Sequence, residues 1–175
     1  RNKYNHAASG DLNNDGFEDV VVSITRDLPY YEGAYIQILI NDGNGELLDM
    51  TNTNFPVQPR SDTHHGEGNI YLRDMNLDGN LDIIHSTRDY NSGYHGAHIA
   101  INNGNAYFVS IDNSDLPMKP DPGNNNYDYL MKALPINIDD EGCLDFISVT
   151  DAGWENSSEE TSNYFFSVLN VNCNF

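Results

Sequence analysis

The chain repeats itself. Three acidic stretches, "DLNNDGFED" from Asp11, "DMNLDGNLD" from Asp74 and "NIDDEGCLD" from Asn137, begin 63 residues apart. A second register, "YEGA" at Tyr31–Ala34 and "YHGA" at Tyr94–Ala97, keeps the same interval. "TRD" occurs at Thr25–Asp27 and again at Thr87–Asp89. "ILINDGNG" (38–45) returns as "AINNGN" (100–105) and, faded, as "VLNVN" (168–172). A period of this length marks an array of supersecondary units, each burying its apolar face against the next.

Each unit reads as four short strands. They are "HAAS", "DVVVSIT", "AYIQILI" and "ELLDM" in the first and "NIYLR", "DIIHST", "HIAIN" and "YFVSI" in the second. The third has "YLMKALPI", "DFISVT", "YFFSVLN" and a C-terminal stub. β-Branched and aromatic residues fill the runs, and Gly, Asn, Asp and Pro separate them. The second strand is apolar on both faces (Val20, Val21, Val22; Ile83, Ile84; Phe146, Ile147), the pattern of a strand sandwiched between sheets. No segment has a helical period. The expected fold is all-β, a β-propeller of about three four-stranded blades over 4–60, 67–120 and 127–175 of a single repeat domain, 1–175.

Aligned by position, the loops place Asp11, Asn13, Asp15, Gly16 and Asp19 at 1, 3, 5, 6 and 9. Asp74, Asn76, Asp78, Gly79 and Asp82 repeat the set, and Asn137, Asp139, Glu141, Gly142 and Asp145 form the third. Oxygen side chains at alternate positions, then a glycine at a sharp turn, suit Ca²⁺, a hard cation that takes six to eight oxygens. Position 7 would add a main-chain carbonyl from Phe17, Asn80 and Cys143, giving up to three calcium sites. An EF-hand is excluded, because position 12 is Val22, His85 or Ser148 and not Glu. The plainer reading is that Asp, Asn and Gly are turn formers, but three copies at constant spacing favour metal. The third loop, with Asn137 and Glu141, is expected to bind more weakly.

The formal charge of −19, from 27 acidic and 8 basic residues, argues against nucleic acid and against an anionic membrane surface. No apolar stretch reads as a membrane span or signal peptide. The chain opens "RNKYNH" without Met, which reads as a processed or excised piece. Cys143 and Cys173 are too few for a disulfide framework and have no zinc spacing; one bridge or two buried thiols both fit.

The D-x-N-x-D-G-x-x-D loop before an apolar strand, with "Gly-Ala" and "N-D-G-N-G" following, resembles the FG-GAP/VCBS repeat. That repeat is the calcium-binding blade of integrin α-subunit propellers and of many secreted microbial proteins. "Phe-Gly" has no counterpart and "Gly-Ala" is not followed by Pro, so the VCBS form is the nearer likeness. The resemblance implies the calcium ligands named above, a secreted or cell-surface location and a seven-bladed ring. Just under three blades then means part of a longer propeller, an open arc, or closure by self-association.

Connections opposite the acidic loops collect Arg26, Tyr31, His64, His65, Arg88, Tyr94, His95 and Trp154, aromatic planes beside cations that suit a glycan or a protein epitope. Arg26–Asp27 and Arg88–Asp89 read equally as ion pairs that brace the loops. "N-S-S" at Asn156 is a sequon in a eukaryotic secretory route and chance elsewhere. The favoured function is a non-catalytic adhesion or ligand-binding module. The alternatives are a fragment of a polysaccharide lyase or hydrolase, using His64, His65 or His85 with Tyr94 and Arg88, and a structural spacer or assembly module.

Overall fold

A computed structural model describes residues 2–26, 33–56, 64–65, 70–89, 95–111, 133–138, 144–151 and 164–169. Among them the chain is all-β apart from one helical turn. Strands β1 (Asn2–Gly10), β2 (Asp19–Arg26), β3 (Gly33–Asn41) and β4 (Leu47–Asp49) form an antiparallel meander. Strands β6 (Ile70–Arg73), β7 (Asp82–Asp89), β8 (His95–Asn102) and β9 (Phe108–Ser110) repeat that meander. A third sheet contains β10 (Ala133–Ile136), β11 (Asp145–Asp151) and β12 (Tyr164–Leu169). Two four-stranded antiparallel meanders in succession are consistent with the blades of a β-propeller. The stub expected after β12 lies outside the described residues, as do both cysteines and Asn156.

One expected loop is a strand. His64–His65 forms β5, which pairs with the far end of β7, His64 opposite Asp89 and His65 opposite Arg88. Since β6 lies along the same edge, with Ile70 opposite His85, β5 and β6 together do the work of the continuous β1. That strand instead carries an irregularity between Tyr4 and His6. The pairing was hidden because two histidines carry no period-2 apolar signal.

Alternation along the strands aims one face of each of the first two sheets at the other. Val21, Ile36 and Ile38 from the first meet Ile70, Leu72, Ile83, Ala100 and Phe108 from the second, around Leu12, Phe55 and Ala106. Each large aliphatic side chain buried there contributes about 1.5–3 kcal/mol. The expectation of a second strand buried on both faces holds in β7, where Ile83 and Ile84 are both inaccessible. In β2 Val21 is inaccessible, but Val20 and Val22 are half-buried. Side chains of Phe146 and Ile147 lie outside the description.

The single helical turn, α1 (Thr51–Asn54), departs from the all-strand reading. Its sequence, "TNTN", has poor helix propensity, so tertiary anchors must hold it. Buried Thr51 accepts the Ile38 N–H at its Oγ1 (2.9 Å) and donates that hydroxyl to Asp49 Oδ1 (2.6 Å). At the other end Phe55 is buried, with its ring centroid 6.1 Å from that of Phe108 in the second sheet. The turn thus swings an aromatic from one sheet into the core of the next. Among the described residues no helix is long and apolar enough to cross a membrane.

Thr51→Val keeps the shape but removes the acceptor for the Ile38 N–H. An unsatisfied buried donor costs about 1–3 kcal/mol. Urea unfolding should show a free energy of unfolding lower by that amount, as a lower midpoint with an unchanged m-value.

Candidate functional site: paired acidic loops

Each acidic loop joins two antiparallel neighbours: residues 11–18 join β1 to β2, 74–81 join β6 to β7, and 137–144 join β10 to β11. The first two are built alike, bond for bond. In the first, Asp11 accepts the Asp15 N–H at Oδ1 (3.1 Å) and the Gly16 N–H at Oδ2 (2.8 Å). In the second, Asp74 accepts the Asp78 N–H (2.9 Å) and the Gly79 N–H (2.7 Å). Asn13 donates Nδ2–H to Asp15 Oδ2 (2.8 Å), and Asn76 does the same to Asp78 (3.1 Å). Phe17 N–H donates to Asp15 Oδ1 (2.9 Å), and Asn80 N–H to Asp78 Oδ1 (2.8 Å). Gly16 and Gly79 turn the backbone at φ of 90° and 93°, where a side chain would be strained.

Position 4 also lies in the left-handed region, at φ of 60° for Asn14 and 57° for Leu77. Asn tolerates this; Leu at such a φ costs of order 1–2 kcal/mol. Nothing in the sequence flags Leu77 as strained.

Position 9 is the foundation. Asp19 and Asp82 are inaccessible to solvent, and each holds two backbone N–H groups. Asp19 accepts from Leu12 (2.9 Å) and from Asn41 at the end of β3 (2.8 Å). Asp82 accepts from Met75 (2.8 Å) and from Asn102 at the end of β8 (2.8 Å). Asp145, also buried, accepts the Ile138 N–H at 3.2 Å. Burial pushes the Asp82 carboxyl up to about 6, and the Asp78 charge adds to the rise against the pull of the Asn102 and Met75 N–H groups. Asp19 is raised for the same reason, with Asp15 and Asp11 as the added charges. Asp78 is held below the usual range, chiefly by the Asn80 N–H.

The side-chain oxygens of Asp11, Asn13, Asp15 and Asp19, and of Asp74, Asn76, Asp78 and Asp82, are of the chemical type a hard cation takes, and the main-chain carbonyls of Phe17 and Asn80 at position 7 would add to them. Each carboxylate oxygen that accepts one N–H retains a lone pair. Among the described residues no group of three or more His, Cys, Asp or Glu side chains is gathered as a metal centre, so amide and main-chain oxygens would have to complete the shell. In the third loop Asn137 and Asp145 are described, whereas Asp139, Glu141 and Cys143 lie outside the described residues.

Residues without a sequence-level role supply the framing. Asn41 and Asn102 stood out only as parts of repeated turns, yet their N–H groups complete the position-9 carboxylates. Leu12 and Met75, at position 2 of their loops, present N–H to the carboxylate below and carbonyl to the neighbouring sheet. Leu12 C=O accepts Ala106 N–H (3.0 Å), and Met75 C=O accepts Leu144 N–H (2.9 Å).

At the opposite end of the second sheet, His65, Arg88 and His95 stand directly across from one another on β5, β7 and β8. Arg26 sits at the matching end of β2, opposite Gly33. His64 pairs with Asp89, in the neighbouring row. Tyr31, Tyr94 and Trp154 lie outside the described residues. His85, the candidate base, is 1% exposed in β7, opposite Ile70 and His98.

The family model of the FG-GAP-like repeat matches residues 11–85, a span that begins at the first acidic loop and includes all of the second. No curated protein and no solved structure matches the chain.

Between pH of about 4 and about 6 the folded state holds the Asp82 proton more tightly than the unfolded chain does. This carboxyl's contribution to stability therefore falls as pH rises through that window, the reverse of a salt-bridged aspartate. In chelator, the Asp82 carboxyl carbon followed by NMR should titrate near pH 6. A midpoint at or below 4 would show that burial is not the dominant influence.

Proposed function

Residues 11–85 being an FG-GAP-like repeat, we propose that the chain is a calcium-stabilised, non-catalytic part of a β-propeller on a secreted or cell-surface protein, and that it displays a binding surface for a glycan or a protein. The observation that carries this reading is the bond-for-bond repetition of two oxygen-lined loops, each over an inaccessible carboxylate. The buried carboxylate frames the turn through two backbone N–H groups, but its place beneath two others adds repulsion that turn formation does not relieve. A cation does, because it offsets both the desolvation of the buried group and the repulsion among its neighbours.

Asp11, Asn13, Asp15, Phe17 and Asp19 would hold one ion and Asp74, Asn76, Asp78, Asn80 and Asp82 a second. Asn137, Asp139, Glu141, Cys143 and Asp145 would hold a third more weakly, since position 1 carries no charge there. Bound calcium supplies a fixed positive centre; the residues around it orient the turn and hold the following strand in register. Ring closure would come from further blades of a longer chain or from self-association. The ligand would meet the end opposite the loops, where His65, Arg88 and His95 share a row in an otherwise acidic protein. Burial of His85 between sheets favours this reading over a lyase or hydrolase that would use it as a base.

Calcium at about a hundred times its dissociation constant should stabilise the fold by about 2.7 kcal/mol per site, and chelator should reverse the gain. For a domain of this size that is a melting shift of roughly 5–10 °C per site. Asp15→Ala and Asp78→Ala should each remove one calorimetric binding event. Glycan-array and cell-surface binding, with calcium and with chelator, tests recognition; no ligand in the calcium form would leave only a structural role.

A further inference from the structure

An unbroken line of hydrogen bonds joins the first acidic loop to the second. The Asp19 carboxylate accepts the Leu12 N–H (2.9 Å); the Leu12 carbonyl accepts Asn102 Nδ2–H (2.7 Å); the Asn102 N–H donates to Asp82 Oδ1 (2.8 Å). Asn102 is thus bonded through its side chain to one loop and through its backbone to the foundation of the other. It is 1% exposed, and it also donates to the Leu81 carbonyl (3.1 Å) and accepts the Gly104 N–H (3.0 Å). Buried bonds of this kind are not replaced by water at small cost.

A second, exposed link lies nearby. Asn14 donates Nδ2–H to Asn80 Oδ1 (3.0 Å) and to the Gly104 carbonyl (3.1 Å). Asn80 is the position-7 residue of the second loop, so Asn14 of one loop holds the residue whose carbonyl would serve the other loop's ion. Neither Asn14 nor Asn102 occupies a ligand position.

We propose that the two loops take up calcium with positive cooperativity, Asn102 and Asn14 being the positioning residues that couple them. This rests on the calcium reading above. Occupying the first loop fixes Leu12 and Asn14, which in turn fix Asn102, Asn80 and Gly104, so less of the second loop's ordering remains to oppose binding. Linkage makes the effect reciprocal. Repulsion between the ions opposes it but is reduced by the carboxylates of each loop and screened by salt, with a Debye length of about 8 Å at physiological ionic strength.

The Gly16 and Gly79 amides, each bonded to the first aspartate of its own loop, report the two sites separately in a calcium titration of the full chain by NMR. Blocking the first loop with Asp15→Ala should weaken calcium binding at Gly79 about fivefold or more, and Asp78→Ala should weaken binding at Gly16 by the same factor. Asn14→Gly keeps the left-handed backbone and both ligand sets, and should cut that factor at least in half. Asn102→Asp, which removes the donor to Leu12, should abolish it if the variant folds. Binding at Gly79 unchanged within twofold by Asp15→Ala would overturn the coupling while leaving calcium binding standing. Absence of any calcium response at either glycine would overturn the calcium reading and the coupling with it.

Discussion

A carboxylate buried under each of the first two acidic loops and gripped by two backbone N–H groups is the constraint on which the rest depends. One N–H comes from the second residue of the loop, the other from the end of the third strand, so a single aspartate fixes where the loop sits and where the neighbouring hairpin turns. Removing it would leave two backbone amides without their acceptor at a site inaccessible to solvent. The same group concentrates negative charge under a loop that already presents two more carboxylates. Structure and chemistry therefore make opposite demands on that aspartate, and the cation proposed above would meet both.

From that anchor outward the architecture is a matter of faces. The loop's second residue enters the core between sheets as Leu12, inaccessible to solvent, and its carbonyl is taken by the neighbouring sheet. The adjacent strand packs the same interface through Val21 or Ile83, and Phe55 closes it from α1. Acidic loop and apolar core thus share their first residues, which joins a polar site to the packing beneath it.

Much of this was legible in the sequence. Constant spacing between Asp11 and Asp74 marks the unit, alternation around Ile36 and Ile38 marks the buried face, and Gly16 and Gly79 mark the turns. The missed features are those in which distant residues meet. Asn102 looks like any turn asparagine until β8 brings it against the second loop, 20 residues from its carboxylate partner. The helical turn at Thr51 contradicts local propensity and exists because Ile38 and Asp49 hold the threonine. The β5 strand carries histidines and depends on β7 for its form. His85 resembled a reactive group in the sequence, but its register in β7 places it in the interior.

The glycines of the strand-three turns have a consequence for diversity. Phe17 lies against Gly43, where an added Cβ would come within 2.9 Å of its ring, and Asn80 lies against Gly104 in the same way. An aromatic and an amide thus rest in equivalent notches, one half in solvent and the other bonded across to Asn14. Because the notch is made by an absent side chain and the loop uses only the backbone of its seventh residue, that residue can be exchanged while the cradle persists. The rim of such an array can be repainted blade by blade, acquiring new stickiness without redesign of the scaffold beneath it.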